Sequence, residues 1–260
     1  MQKIFVLTIS ILLLLDIVYS QSKYPEMLQI KGGTFKMGSS NPNEDASPIH
    51  NVTLSDFYIS KHEVTVEQYK YFCKETGHPF PKSPNKDWYE EHPNVKTWVW
   101  RNNMPIVNVS WNDAMAYCQW LSKATGQQYT LPTEAQWEYA ARGGKNSQSF
   151  KYAGSNTLSQ VAWYDETTFE KGPRQVGSLK ANELGIYDMS GNAYEYCLDV
   201  YAPYPDKSIR NPTGPKTGQY RVIRGGSWYN YDELCTTTMR DMVKPNQASF
   251  YYGFRVVKNK

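Results

Sequence analysis

Residues 131–144, LPTEAQWEYAARGG, constrain the fold of this chain more than any other stretch, because they carry a helix with both of its ends written in. Pro132, Thr133 and Glu134 belong at a first turn, where a proline gives up no needed N–H and a carboxylate meets the positive end of the helix dipole. Gly143 and Gly144 stop it, so the helix is short. Glu134, Glu138 and Arg142 fall at helical spacing on one face. A catalytic reading of these charges is available, but ion pairing within and between elements is the more economical one.

The rest of the chain must pack around short elements of this kind. Twenty-one Tyr and eight Trp accompany 17 Gly and 15 Pro among 260 residues, which points to a loop-rich domain held by aromatic packing. Residues 27–38 alternate around Gly32-Gly33 and read as an edge hairpin. After an alternating stretch over 52–65, Val66, Tyr69, Phe72 and Cys73 recur at helical spacing, with Thr65 as N-cap and Gly77 as stop. Ala114, Tyr117, Cys118 and Leu121 share the face of a further helix capped by Ser110 or Asn112. Residues 79–103 have no period and read as a long irregular loop, whose Trp88, Trp98 and Trp100 suit either a binding surface or core packing. From residue 145 onward, short strands alternate with turns, and 211–218 form a conspicuous loop. No linker or repeat divides residues 27–258, which read as one domain.

The N-terminus is different in kind. Lys3 precedes an apolar run over residues 4–15, with small or polar residues at 18–20, the pattern of a secretory signal peptide over residues 1–20 cleaved after Ser20. The run is too short to span a bilayer, so no membrane span is expected and the mature chain is expected to be secreted or periplasmic. A net charge of +3 without a basic run gives no reason to expect nucleic acid as a partner. His50, His62, His78 and His92 show no metal-ligand spacing, and no GxSxG elbow, Walker loop or dinucleotide glycine motif is present.

Three further strings follow the helix in order: GNAYEYC over residues 191–197, RGGSW over 224–228 and GFR over 253–255. Together with LPTEAQWEYAARGG they resemble the formylglycine-generating enzyme, or sulfatase-modifying-factor, family across residues 27–257. The resemblance implies an α+β, C-type-lectin-like fold with little regular secondary structure. Read from the residues, Asp188 and Glu195 offer carboxylates and Gly191 and Ala193 offer carbonyls at tight spacing, a hard-oxygen set that suits calcium. The alternative is a turn in which Asp188 and Asn192 bond backbone groups. The family uses the same four offsets for a structural calcium, with Asp188 standing where an asparagine is usual. The family's second calcium site has no secure counterpart around Gln160 and Val161.

The family's oxidases bind copper through two cysteines after the GGS turn. Counted from Ser227, these positions are Asn230 and Cys235 in this chain, so half of the bis-thiolate site is missing and copper is not expected. The histidines that supply iron in the family's sulfoxide synthase branch are also absent. Four cysteines in an exported chain admit three pairings. Cys73 with Cys118, on two predicted helices, and Cys197 with Cys235, after two motifs, is the favoured grouping; the resemblance makes the second pair compatible with a disulfide.

The function expected on these grounds is that of an exported, monomeric binding or accessory protein without copper oxidase activity. Arg224, Ser227, Trp228, Asn230 and Arg240 would line its cleft for a protein or peptide ligand. The alternative is an oxidoreductase that makes formylglycine with Cys235 and Ser227 as catalytic residues. A third reading is a component of envelope secretion or motility machinery.

Overall fold

The computed structural model describes residues 23–41, 45–168 and 172–260. The expected leader, residues 1–20, lies outside the described residues. Three small sheets and a few short helices make up the domain, with the helices and sheets wrapped around two large buried clusters.

Helix α1 (Val66–Thr76) is closed by a capping box: Thr65 accepts from the Gln68 N–H and the Gln68 side chain returns to the Thr65 N–H, while Gly77 ends it in the left-handed region. A short helix α2 (Lys86–Glu91) starts at Asn85 within the stretch that reads as irregular loop. Its six residues bury no side chain, so no apolar period announces it. Helix α3 (Trp111–Thr125) is capped by Ser110 rather than Asn112, with Asp113 completing the box. Helix α4 (Glu134–Ala141) is capped by Thr133 and Gln136, and all eight of its residues are buried. A helix with no solvent face must satisfy its charged side chains internally.

The first sheet has the order β1 (Met27–Ile30), β4 (Phe57–Ser60), β11 (Val257–Asn259), β5 (Tyr129–Thr130), so the first and last strands both pair with β4. The second holds β2 (Gly33–Met37), β3 (His50–Leu54) and β7 (Ile209–Arg210). Met27–Ile30 and Gly33–Met37 therefore belong to different sheets, and the expected edge hairpin is instead a corner at Gly32. Alternation identifies both strands but cannot say which partner each takes.

The third sheet carries the motifs. Its order is β10 (Tyr252–Gly253), β6 (Tyr194–Val200), β8 (Arg221–Arg224), β9 (Arg240–Val243), with β6 parallel to β10 and antiparallel to β8. Helix α4 packs on this sheet, so GNAYEYC, RGGSW and GFR converge on the helix that carries Glu134 and Glu138. Trp88, Trp98 and Trp100 pack against the buried Val107, Ala193 and Phe250, with the Trp98 and Phe250 rings 4.7 Å apart. The tryptophan-rich stretch is held down by this packing.

Among the described residues all four cysteines are free thiols. Cys197 sits in the core cluster under α4, and Cys235 sits in a separate cluster with Tyr152, Leu158, Val161, Ala162 and Tyr164. The expected Cys197–Cys235 bridge is absent because the two motifs deliver their cysteines to different cores. Cys73 and Cys118 also remain unpaired, on α1 and α3. Burial pushes Cys197 and Cys118 well up and Cys73 to about 11, so these are apolar packing groups in their neutral form.

Candidate functional site

The turn after β8 is built on Gly225 and Gly226, both with positive φ. A Cβ on Gly226 would lie 2.7 Å from the Cys235 sulfur, so only glycine lets the turn close over that thiol. Ser227 and Asn230 then bond each other. The Asn230 Oδ1 accepts from the Ser227 N–H at 2.9 Å and from the Ser227 Oγ at 2.6 Å, and the Asn230 N–H returns to the Ser227 carbonyl at 3.1 Å. The amide closes a turn; its oxygen has no lone pair left for a soft metal ion.

Cys235 is fully buried, and burial together with nearby Asp232 pushes its thiol up to about 12, against the pull of the Gly191 N–H. A thiol in that state is a poor nucleophile and a poor ligand. Trp228 is also fully buried, donating to the Phe250 carbonyl at 2.8 Å. Side chains that do reach solvent at this turn are Tyr229 and Tyr231, 37% and 67% exposed. A cavity of about 180 Å³ opens beside Tyr229, walled by His92, Pro93, Asn94 and Val95.

Arg224 and Arg240 lie elsewhere. Arg224 donates to Glu134 Oε1 at 2.9 Å, Glu138 Oε2 at 2.6 Å and the Thr237 carbonyl at 2.8 Å. Arg240 holds both oxygens of Glu134 at 2.8 Å and packs its guanidinium on Tyr204. Arg142 completes the array on Glu138 at 2.8 Å. The cleft expected from five residues is thus divided: Ser227, Trp228 and Asn230 shape a turn, and the two arginines anchor α4 to β8 and β9.

The segment around 188–195 forms a buried charge cluster. Both Glu195 oxygens accept from Arg255, at 2.5 and 2.7 Å, and Oε2 also accepts from the Trp137 indole at 2.7 Å. Glu63, absent from every sequence motif, accepts from the Ala193 N–H at 3.0 Å and the Asn192 amide at 2.7 Å. Asp188, at φ 58, accepts from the Gly177 N–H at 2.7 Å. Gly191 is needed because a Cβ there would sit 2.3 Å from the Trp163 carbonyl oxygen.

At the expected calcium positions both carboxylates are engaged by protein groups. The Glu195 carboxylate accepts from a guanidinium and an indole, and Asp188 from the Gly177 N–H. Ala193 and Glu195 are tied into the core through Glu63 and Arg255, Asp188 through the Gly177 N–H and Gly191 through the Gly225 carbonyl. Glu63 lies in the mixed stretch over residues 57–66 beside Lys61 and His62, so nothing local in the sequence marks it as the buried charge.

Three carboxylates against one arginine leave excess negative charge. Burial first, then Asp188 and Glu195, drives Glu63 well above the ordinary carboxylate range. Asp188 rises to about 6, again chiefly through burial, against the pull of the Gly177 N–H and Arg255. A carboxyl raised on folding binds its proton more tightly in the folded chain, so its contribution is full below the ordinary value of 3.8 and is lost as pH rises through about 6. Asp188→Asn keeps the acceptor for Gly177 and removes the charge. It is expected to stabilise the protein by about 1–2 kcal/mol above neutrality and to lose that gain in mild acid. Urea midpoints of the two proteins that differ equally in acid and in base would sink this account.

The sulfatase-modifying factor enzyme 1-like domain model matches residues 17–260. The chain is 31% identical to a formylglycine-generating enzyme of Streptomyces coelicolor, over 88% of this chain and 87% of that protein. It is 31% identical to the chaperone protein LppX of Paenibacillus barcinonensis, over 90% of each. It is 32% identical to the serine/threonine-protein kinase Pkn1 of Chlamydia trachomatis serovar L2 over 90% of this chain, and spans only 38% of that protein's length. The solved structure of PvdO from Pseudomonas aeruginosa superposes with a TM-score of 0.77 at 27% identity, over 92% of this chain and 95% of that one. The architecture is accordingly an α+β, C-type-lectin-like fold of the kind formylglycine-generating enzymes adopt.

Proposed function

The chain belongs to the sulfatase-modifying factor enzyme 1-like family, and from that premise we propose that it is an exported binding or accessory domain without copper oxidase chemistry. The observation that carries the reading is the Ser227–Asn230 pair. Where a copper(I) site needs its first thiolate, an amide oxygen already holds two hydrogens of its own turn. The second position supplies a single buried neutral thiol, Cys235. That donor set does not fit copper(I), which favours two thiolates in near-linear geometry.

The partner-facing surface on this reading is the flank of the same turn, where Tyr229 lines the small cavity at His92 and Tyr231 stands exposed two residues further on. Exposed tyrosines on a rigid turn suit contact with a peptide or protein, since they bring contact area at low entropic cost. An accessory role also agrees with a relative named as a chaperone, LppX. Similarity to formylglycine-generating enzymes supports the oxidase as the second reading.

The two readings separate in one assay. The protein is titrated with Cu(I) against a chromogenic chelator and then incubated with a cysteine-containing sulfatase peptide under oxygen. No stoichiometric Cu(I) uptake and no formylglycine in the peptide are expected, while Asn230→Cys is expected to gain Cu(I) affinity by supplying the missing thiolate. One equivalent of tightly held Cu(I) in the unaltered protein, with formylglycine formed, would establish the oxidase.

A further inference from the structure

Arg142, Arg224, Arg240 and Arg255 each hold a carboxylate, but Arg101 and Arg174 hold none among the described residues. Arg174 is nevertheless firmly placed. The Asn192 side chain clamps its backbone, with Oδ1 accepting from the Arg174 N–H at 2.9 Å and Nδ2 donating to the Arg174 carbonyl at 3.4 Å. Its guanidinium lies over the Trp163 ring, 5.4 Å from the centroid. The Arg174 Nε is buried and has no hydrogen-bond partner among the described residues.

Two bonds between loops bring Arg101 to its side. The Asn103 carbonyl accepts from the Val176 N–H at 3.0 Å, and the Asn103 amide donates to Gln175 Oε1 at 2.8 Å, so residues 101–103 lie against residues 174–176. Arg101 is exposed and shares a small cavity with Trp98, whose buried indole N–H also lacks an acceptor among the described residues. The charged residues of α1 that reach this loop leave the arginines unpaired: Glu67 meets the Asn102 carbonyl through its own backbone N–H, and Lys70 donates to Asn102 Oδ1. Burial first, and then the charge of Arg101, push Arg174 below the ordinary guanidinium value, with no carboxylate among the described residues acting the other way.

Two guanidiniums held side by side with no counter-charge ask for an anion, and for one that neutralises both. We propose that Arg101 and Arg174 together bind a doubly charged oxyanion, a phosphate or sulfate group. Guanidinium forks match the oxygens of such a group, and a cation or a neutral polyol would leave the repulsion between the arginines in place. A single carboxylate would cancel only one of the two charges. The cavity at Trp98 and Arg101 is about 50 Å³, far below the size of sites that enclose organic ligands, so the charged group is what is recognised and the rest of a ligand stays in solvent. The proposal draws nothing from the reading of the Tyr229 face, so the two stand or fall separately.

The test is an amide-resonance titration of the full protein, in mildly basic buffer at constant ionic strength, with inorganic phosphate, sulfate, phenyl phosphate and acetate. Saturable shifts over residues 101–103 and 174–176 are expected with phosphate and sulfate, with acetate weaker by about tenfold or more. Arg174→Gln should weaken phosphate by about the same factor. Arg101→Gln, at an exposed position, should do likewise and decides the matter if the Arg174 variant fails to fold. Arg210→Gln removes an arginine outside the site and should leave phosphate binding at the parental level. Phenyl phosphate binding at least as tightly as inorganic phosphate assigns the site to an esterified group, and weaker binding assigns it to the free anion. No saturation by either dianion, acetate binding as well as phosphate, or an Arg101→Gln protein that loses no more affinity than Arg210→Gln would overturn the proposal.

Discussion

Replacing Arg255 by methionine is expected to cost about 3–5 kcal/mol of stability, a large share of the 5–15 kcal/mol typical of a whole domain. Arg255 is fully buried, holds both Glu195 oxygens and donates to the carbonyls of Ser60 and Tyr187. Without it Glu195 keeps, among the described residues, the Trp137 indole alone, inside a core that also contains Glu63 and Asp188. An uncompensated buried anion is the costly outcome, rather than the loss of the pair as such. Adding Glu195→Gln to the Arg255→Met protein should therefore recover part of the loss, and Arg255→Lys, which keeps charge but not the two-pronged geometry, should fall in between. Urea midpoints read the series. A parental midpoint for Arg255→Met, or no recovery in the double variant, would show that the cluster is not held by this cation.

What the sequence discloses here depends on range. Caps lie within one turn of their targets, so Thr65, Gly77 and Ser110 announce their helices from local residues alone. Strand partners do not: β1 and β2 are adjacent in sequence and part at Gly32 because their partners, β4 and β3, are chosen by burial across the fold. The same limit applies to the charges. Glu134, Glu138 and Arg142 are visible as one helical face, but the groups that complete them, Arg224 and Arg240, are 86 to 106 residues away. An arginine next to a glycine turn looks like a ligand contact until its distant acid is known. The cysteines mislead for a related reason, since spacing after a motif says nothing about which of two cores receives the sulfur.

The departure at position 230 has structural as well as chemical content. A missing thiolate might have left a vacant position, but Asn230 replaces it with hydrogen bonds that close the turn onto Ser227. With the thiol of Cys235 sealed beneath Gly226, the turn presents Tyr229 and Tyr231 to solvent, as the proposed binding role requires. A turn closed by its own hydrogen bonds serves recognition, because groups already ordered lose little entropy on binding.

Arg224→Met is expected to destabilise the protein by about 3 kcal/mol, although the residue reads from sequence as part of a ligand cleft. Its guanidinium is completely buried, and its bonded partners among the described residues are Glu134, Glu138, Tyr204 and the Thr237 carbonyl. Glu134 would keep Arg240 and Tyr204, and Glu138 would keep Arg142 and the Gly38 N–H, so each acid loses one bond and neither is stripped. For that reason the loss should be smaller than at Arg255, whose acid has no second arginine among the described residues. Joining Arg224→Met to Glu138→Gln should cost less than the two single changes summed, because both remove the same bond. If Arg224 instead served a ligand, its replacement would weaken binding at an unchanged urea midpoint. A stability loss that is non-additive with Glu138 identifies it as the tie between β8 and α4.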